Sequence, residues 1–327
     1  MSVDTQAILD ELNQHRLNRR STSASTMTLV SFIEDSDLSE VVRERTRALA
    51  DKHPSRAIIL DATQPLGTHR TDGSVERGEW IEVGVKGADA AHLASIARAL
   101  ALGEAPLVVH WAADGVGSDE RFVALAELAR VIVCNSSLVE PGTGTLRELG
   151  SYAKGHPVAH LHDLAFLRLA PWQECIASFF DDVAAAEDLL HLDRVAIACG
   201  TDAEAYYLLG WLGSRLGWSP RERGRFDNRF GNPISYRIER AGEPRRPGHV
   251  SLANNASCFT VELVTSDGTQ MLETRVTGQR ARPARRTPIN GIDVPTMIER
   301  AILLLGQRND VFHDSLQSVA AIFEIEG

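Results

Sequence analysis

Cysteine is sparse in this chain, and lysine is sparser still. The four cysteines (Cys134, Cys175, Cys199 and Cys258) stand far apart, and no two form a CxxC pair. That spacing offers no metal-like cysteine pair and makes a reducing compartment the default. No apolar run approaches the ~18 residues that a membrane helix needs. The first residues lack a basic n-region and an apolar h-region, so no signal peptide is expected. A cytoplasmic protein with no membrane partner is the expectation. Catalytic signatures are missing too. The chain has no GxSxG and no GxxxxGK[ST], and Arg147 stands where a GxGxxG motif starting at Gly142 would need its third glycine.

What is present is ordinary globular sequence: 327 residues, 43% hydrophobic and 24% charged. At roughly 150 residues per domain, this length suggests about two domains. With 34 Lys+Arg against 44 Asp+Glu, the net charge is −10, a poor match to nucleic acid or anionic membrane. The charge is uneven. Residues 219–286 hold thirteen Arg, no Lys and seven acidic residues, a local +6. Such an island suits a solvated surface, an RNA contact using Phe226, Phe230 and Tyr236, or an anionic protein surface or phosphorylated ligand gripped by bidentate Arg.

Periodicity predicts the elements. Val3, Ala7, Ile8 and Leu12 mark a first helix, and Met27–Ile33 a first strand. Asp37 with Glu40 forms a capping-box pattern for a helix ending near Lys52, before Pro54. Strands follow at 57–60 and 80–86, the latter alternating and solvated on one face, with a loop over 64–78 between them. A helix over 88–102, a strand at 106–111, a helix capped by Ser118, a strand at 131–134 and a helix over 146–153 complete a pattern of apolar strands alternating with amphipathic helices. This is the signature of a three-layer α/β domain with a largely parallel sheet, placed at 1–158.

The second half, 159–327, reads as an α+β domain. It has helices over 163–181 broken at Pro171, a strand at 195–199 and a helix opened by Thr201 and Glu204. That helix, with Tyr206, Tyr207, Leu208 and Trp211, is apolar on nearly every side. After a loop over 219–232, strands around Ile234–Ile238, Val250–Leu252, Phe259–Leu263 and Met271–Val276 suggest an antiparallel meander, with Asp267-Gly268 as a hairpin turn. Helices through Met297–Leu305 and Phe312–Phe323 close the chain.

Candidate chemistry is thin. Gly142-Thr143-Gly144 precedes a helix, where a phosphate could sit, but a plain turn explains it. His156, His160, His162 and Asp163 are metal-capable residues at no familiar spacing, and read as linker histidines. Cys134 ends a strand where an α/β enzyme could place a nucleophile, and His110 could serve as a base. Both are the kinds of residue that cores absorb. No cofactor and no metal are expected.

Ordered blocks then decide the matter. His53-Pro54-Ser55-Arg56, Pro106–Trp111 (Pro-Leu-Val-Val-His-Trp) and Val131–Ser137 (Val-Ile-Val-Cys-Asn-Ser-Ser) come first. Asp163–Trp172 (Asp-Leu-Ala-Phe-Leu-Arg-Leu-Ala-Pro-Trp) and Tyr207–Trp218 (Tyr-Leu-Leu-Gly-Trp-Leu-Gly-Ser-Arg-Leu-Gly-Trp) follow. Over about residues 25–220 this series closely resembles the glucose-6-phosphate dehydrogenase assembly protein family (OpcA). It departs at His110 and Asn135, where the family often has Trp and Asp, and at Gln173, where it usually has Arg. The resemblance implies a non-catalytic protein that assembles with, or allosterically activates, glucose-6-phosphate dehydrogenase, the first enzyme of the oxidative pentose phosphate pathway. On that footing the candidate partner- or phosphate-binding residues are His53, Arg56, Arg168, Trp172, Trp211, Arg215 and Trp218 from the blocks, with Arg225, Arg229, Arg245 and Arg246 from the island. The alternatives are an α/β enzyme or sensor for a phosphorylated sugar, and an RNA-binding module using 219–286.

Overall fold

The computed structural model describes residues 3–19, 25–72, 78–138, 141–156, 161–181, 183–290, 292–304 and 309–326. Expectations for His160 and Leu305 lie outside these. Contacts divide the chain into two compact units. One comprises Met1–Asn135, Gly155–Leu164 and Asp293–Arg308, and the other Ser136–Lys154, Ala165–Ile292 and Asn309–Gly327. The units interleave in sequence, which a single cut cannot express.

The first unit contains α1 (Thr5–Arg19), β1 (Met27–Ile33), α2 (Ser36–Lys52), β2 (Ser55–Asp61), β3 (His69–Asp72), β4 (Glu79–Gly84), α3 (Ala90–Leu100), β5 (Leu107–Ala112), α4 (Glu120–Leu128) and β6 (Val131–Cys134). After α5 (Thr143–Gly155), which belongs to the second unit, the chain returns for β7 (Leu161–Asp163). The sheet runs β3-β4-β2-β1-β5-β6-β7, parallel except for β3. Strand order therefore reverses between β1 and β5, as in doubly wound sheets. β1, β2, β5 and β6 are buried along their whole length because helices cover both faces. Ile33, Val42, Ala50, Ala57, Ile59, Trp80 and Ala112 form one core cluster.

Three local expectations change here. β4 has no solvated face: Glu79 is buried against Arg56 at 2.7 Å, and Glu82 takes Arg43 at 3.2 Å and the Trp80 indole N–H at 2.9 Å. Charge pairing lets these glutamates sit inside a strand that alternation alone would place at a surface. The segment 64–78 is not only loop, because β3 pairs antiparallel with β4. The caps also move: Asp35, not Asp37, caps α2, and Asp119, not Ser118, caps α4, each carboxylate accepting a first-turn backbone N–H.

The second unit adds α6 (Leu164–Leu167), α7 (Ala170–Ser178), α8 (Val183–Leu189), β8 (Arg194–Cys199), α9 (Asp202–Leu216), β9 (Ser219–Glu222), β10 (Arg225–Asp227), β11 (Pro233–Arg240), β12 (Pro247–Ala253), β13 (Ser257–Ser266), β14 (Thr269–Gly278) and β15 (Arg282–Pro288). After α10 (Val294–Leu303) of the first unit, α11 (Asp310–Glu326) ends it. Its sheet runs β15-β14-β13-β12-β8-β11-β10-β9. The expected meander is thus interrupted, since β8 inserts between β11 and β12, parallel to the first and antiparallel to the second. The segment 219–232 carries β9 and β10 and is not simply a loop. Pro171 lies in the first turn of α7, where its missing N–H costs nothing. Asp267 and Gly268 both take positive φ, 50° and 75°, giving the sharp β13–β14 hairpin that the dipeptide predicts.

Candidate functional site

In an open α/β sheet, ligands bind beyond the carboxyl ends of the strands where strand order reverses. In the first unit an aromatic cluster packs near those strand ends. Phe32 of β1 stacks on Trp111 of β5 at 4.4 Å, and Phe122 of α4 meets Trp111 edge-on at 5.4 Å. Arg121 lies over the Phe32 ring at 5.2 Å and is held by Glu34 at 2.8 Å and by Asp119. The β1–α2 turn reads Glu34-Asp35-Ser36-Asp37 and has no glycine. Burial, then Glu34 and Asp35, push the Asp114 carboxyl above its ordinary value, a sign of local negative potential. A dinucleotide pyrophosphate needs close backbone approach and favourable charge at this helix start. The turn offers no glycine and is lined by carboxylates, so these residues do not fit such a cofactor.

The chemistry considered for His110 and Cys134 does not assemble. His110 is buried on β5, and burial, then Arg45, lower its pKa to about 4, so it is neutral at pH 7. Cys134 is fully buried, its thiol facing the His162 carbonyl at 3.6 Å, and burial raises its pKa well above the usual range. A thiol so held is a poor nucleophile. Among the described residues, no group of three or more His, Cys, Asp or Glu could hold a metal ion. A cleft of about 290 Å³ lies between Arg43, Asp61, Gln64, Arg70 and Glu82. Arg43 pairs with both carboxylates there, which leaves neither poised as a general base.

In the second unit, residues from three distant segments meet at the start of α9. Glu204 is fully buried and accepts from Arg168, from the Ser137 hydroxyl at 2.7 Å and from the Thr201 hydroxyl. Thr201 therefore donates to Glu204 and does not cap the helix through its side chain, as the capping-box pattern had implied. The Thr201 oxygen in turn accepts the Arg245 backbone N–H at 3.0 Å. Arg245 holds φ 64°, a strained value for a non-glycine residue. Gly142 packs here as well, since a Cβ would stand 3.1 Å from that of Ala203. Close packing explains the glycine without a phosphate.

Further along α9, a Cβ on Gly210 would meet the Ser315 carbonyl oxygen at 2.6 Å. Glycine lets α9 lie directly against α11, so the Gly-Trp-Leu-Gly block has a packing reason.

The sequence-predicted residues do not gather at one place. Arg56 is buried and bonded to Glu79 and to the Leu100 carbonyl at 2.7 Å. Trp172 is fully buried, its indole N–H donating to the Pro247 carbonyl at 3.1 Å, and Trp218 packs on Phe226. The side chains of these three and of Arg168 turn inward. His53 pairs with Glu299 at 3.1 Å, Arg215 with Asp314 at 3.0 Å, and Trp211 is half-buried. The Arg island splits. Arg221, Arg223, Arg225 and Arg229 lie on or beside the β9–β10 edge, while Arg282, Arg285 and Arg286 lie on β15, the opposite edge. Arg245 and Arg246 occupy the β11–β12 connection, where Arg246 bonds Gln270. Among the described residues, at least eight of the thirteen have carboxylate partners: Arg221, Arg225, Arg237, Arg240, Arg246, Arg275, Arg280 and Arg286. Six of these pairs use carboxylates of the island itself, already counted in its +6, and two use Asp202 and Asp188 from outside it. Sequence reasoning missed Glu204 and Ser137 as a unit; the signal was a buried-looking Glu following an Arg-containing block.

Comparison with known proteins gives two family matches, one per half of the sequence. Residues 46–151 match the glucose-6-phosphate dehydrogenase subunit N-terminal domain, and residues 159–316 the corresponding C-terminal domain. A protein of Nostoc punctiforme named putative OxPP cycle protein OpcA is 29% identical over 271 residues, 76% of this chain and 57% of that one. A Synechocystis protein of the same name is 25% identical over 245 residues, 67% of this chain and 50% of that one. The chain thus spans about half the length of these relatives. Among solved structures, a 3-ketoreductase from Actinomadura kijaniata, in complex with NADP and TDP-benzene, aligns with a TM-score of 0.53 at 11% identity, covering 91% of this chain and 96% of that one. An NAD binding oxidoreductase from Klebsiella pneumoniae aligns at 0.51 and 10% identity, covering 92% and 96%. These likenesses concern the fold.

Proposed function

Because the chain belongs to the OpcA family of glucose-6-phosphate dehydrogenase subunits, we propose that it is a non-catalytic partner that binds this dehydrogenase and promotes its assembled, active state. The observation that carries this reading is the family match through both halves of the sequence. The glycine-free, carboxylate-lined β1–α2 turn supports a role carried by the surface. Physically, it shifts the dehydrogenase population by binding the assembled form more tightly than the dissociated one. A tenfold preference corresponds to about 1.4 kcal/mol.

The test is to mix the purified chain with the same organism's dehydrogenase and measure mass by size exclusion with light scattering. A co-eluting complex is expected, with the dehydrogenase shifted to its larger oligomer. Elution of both proteins unchanged across a hundredfold concentration range would overturn the reading.

A further inference from the structure

Phe230 is 61% exposed, a large aromatic ring standing in water at the connection from β10 to β11. Scattered exposed apolar residues are normal and need no reason. This one differs in how firmly it is presented. Asn228, itself buried, accepts the backbone N–H groups of Phe230 and Asn232 on its side-chain oxygen, both at 2.9 Å. Its own backbone N–H donates to Asn232, its backbone oxygen accepts from Gly231 at 2.8 Å, and its side-chain nitrogen reaches the Leu190 carbonyl at 3.3 Å. The turn is therefore fixed before any partner arrives, which removes an ordering cost from binding. Arg229 lies over the Phe230 ring at 4.9 Å and, among the described residues, has no carboxylate partner. An aromatic and an arginine held together on a rigid tip are the residue types and the preorganisation found at binding hot spots.

We propose that this Phe230–Arg229 tip is the anchor by which the second unit docks on a protein partner, entering an apolar pocket rimmed by carboxylate. The inference rests on the reading above, with the dehydrogenase as that partner. Stacking on a nucleic-acid base would use the same two side chains. The rest of the hairpin disfavours it: Arg221 and Arg225 are paired with Asp227 and Glu222, whose carboxylates would face phosphate.

The test compares Phe230→Ser, Arg229→Ala and the control Leu303→Ser, an equally exposed apolar residue in the first unit. Binding to the same organism's dehydrogenase is measured by biolayer interferometry, and melting temperature by calorimetry. All three variants are expected to melt within a degree or two of the parent, since each side chain is exposed. Phe230→Ser should weaken binding at least about 30-fold and Arg229→Ala about tenfold, with Leu303→Ser unchanged. If the parent binds and Phe230→Ser binds equally well, the anchor is refuted while the partner reading stands. If the parent does not bind, the partner reading itself fails. Binding of a mixed-sequence oligonucleotide that is lost in Phe230→Ser would overturn the protein anchor in favour of nucleic acid.

Discussion

Replacing Arg168 by Met tests whether two of the family's blocks, 131–137 and 163–172, are joined to the start of α9 by one buried charge network. Glu204 is fully buried and Arg168 nearly so, with 0% and 6% of their side chains exposed. Removing the guanidinium leaves a carboxylate in the interior with two hydroxyl donors, Ser137 and Thr201. Breaking one side of such a pair costs about 3–5 kcal/mol, most of it the penalty of the uncompensated charge. Replacing both Arg168 and Glu204 by Met removes both charges, so the double variant should be more stable than the sum of the singles by at least about 1 kcal/mol. Native-state hydrogen exchange on α9 peptides reads this locally, which matters because two units need not unfold as one. The slowest α9 amides should exchange at least about 100-fold faster in Arg168→Met. An acceleration below about tenfold, or strict additivity in the double variant, would refute the claim that these groups act as a unit.

Further outcomes follow from the same geometry. His110 has a folded-state pKa of about 4 against an ordinary 6.5, so the unfolded chain binds its proton first as pH falls. Its contribution should be fully present at pH 7 and above, and about 2 kcal/mol of stability should be lost by pH 5. A His110→Gln variant should flatten that part of a urea-midpoint profile. Gly210→Val forces α9 and α11 apart and should lower the melting temperature by several degrees, read by calorimetry. Trp172→Ala should cost about 3–5 kcal/mol in chemical denaturation through the cavity it leaves. NADP+ titrated to millimolar concentration should give no calorimetric heat and no thermal shift, because the β1–α2 turn has no glycine and is lined by carboxylates.

Much of the first unit was legible because its strands are apolar runs between amphipathic helices; Met27–Ile33 is found at the predicted bounds. What escaped were elements set by partners distant in sequence. β3 is a short polar strand specified by its pairing with β4. β8 enters the middle of a sheet whose other strands follow it in the chain, an ordering that no local pattern encodes. β15, with three arginines and two prolines, lacks any strand signal and exists because β14 offers it an edge. The candidate residues fared similarly. Composition marked the Arg island as one feature, but the sheet carries its ends to opposite edges and pairs most of its charges. The Trp and Arg of the blocks resemble contact residues by type, and only tertiary packing turns Arg168 and Trp172 inward.

The central claim is that this chain acts on glucose-6-phosphate dehydrogenase and performs no redox chemistry itself. Steady-state kinetics of the same organism's dehydrogenase, measured with and without a saturating amount of the chain, test it most directly. A higher kcat/KM for glucose 6-phosphate is expected, saturating with added chain, while the chain alone reduces no NADP+. Unchanged kinetics at saturation, or NADP+ reduction by the chain alone, would contradict the claim.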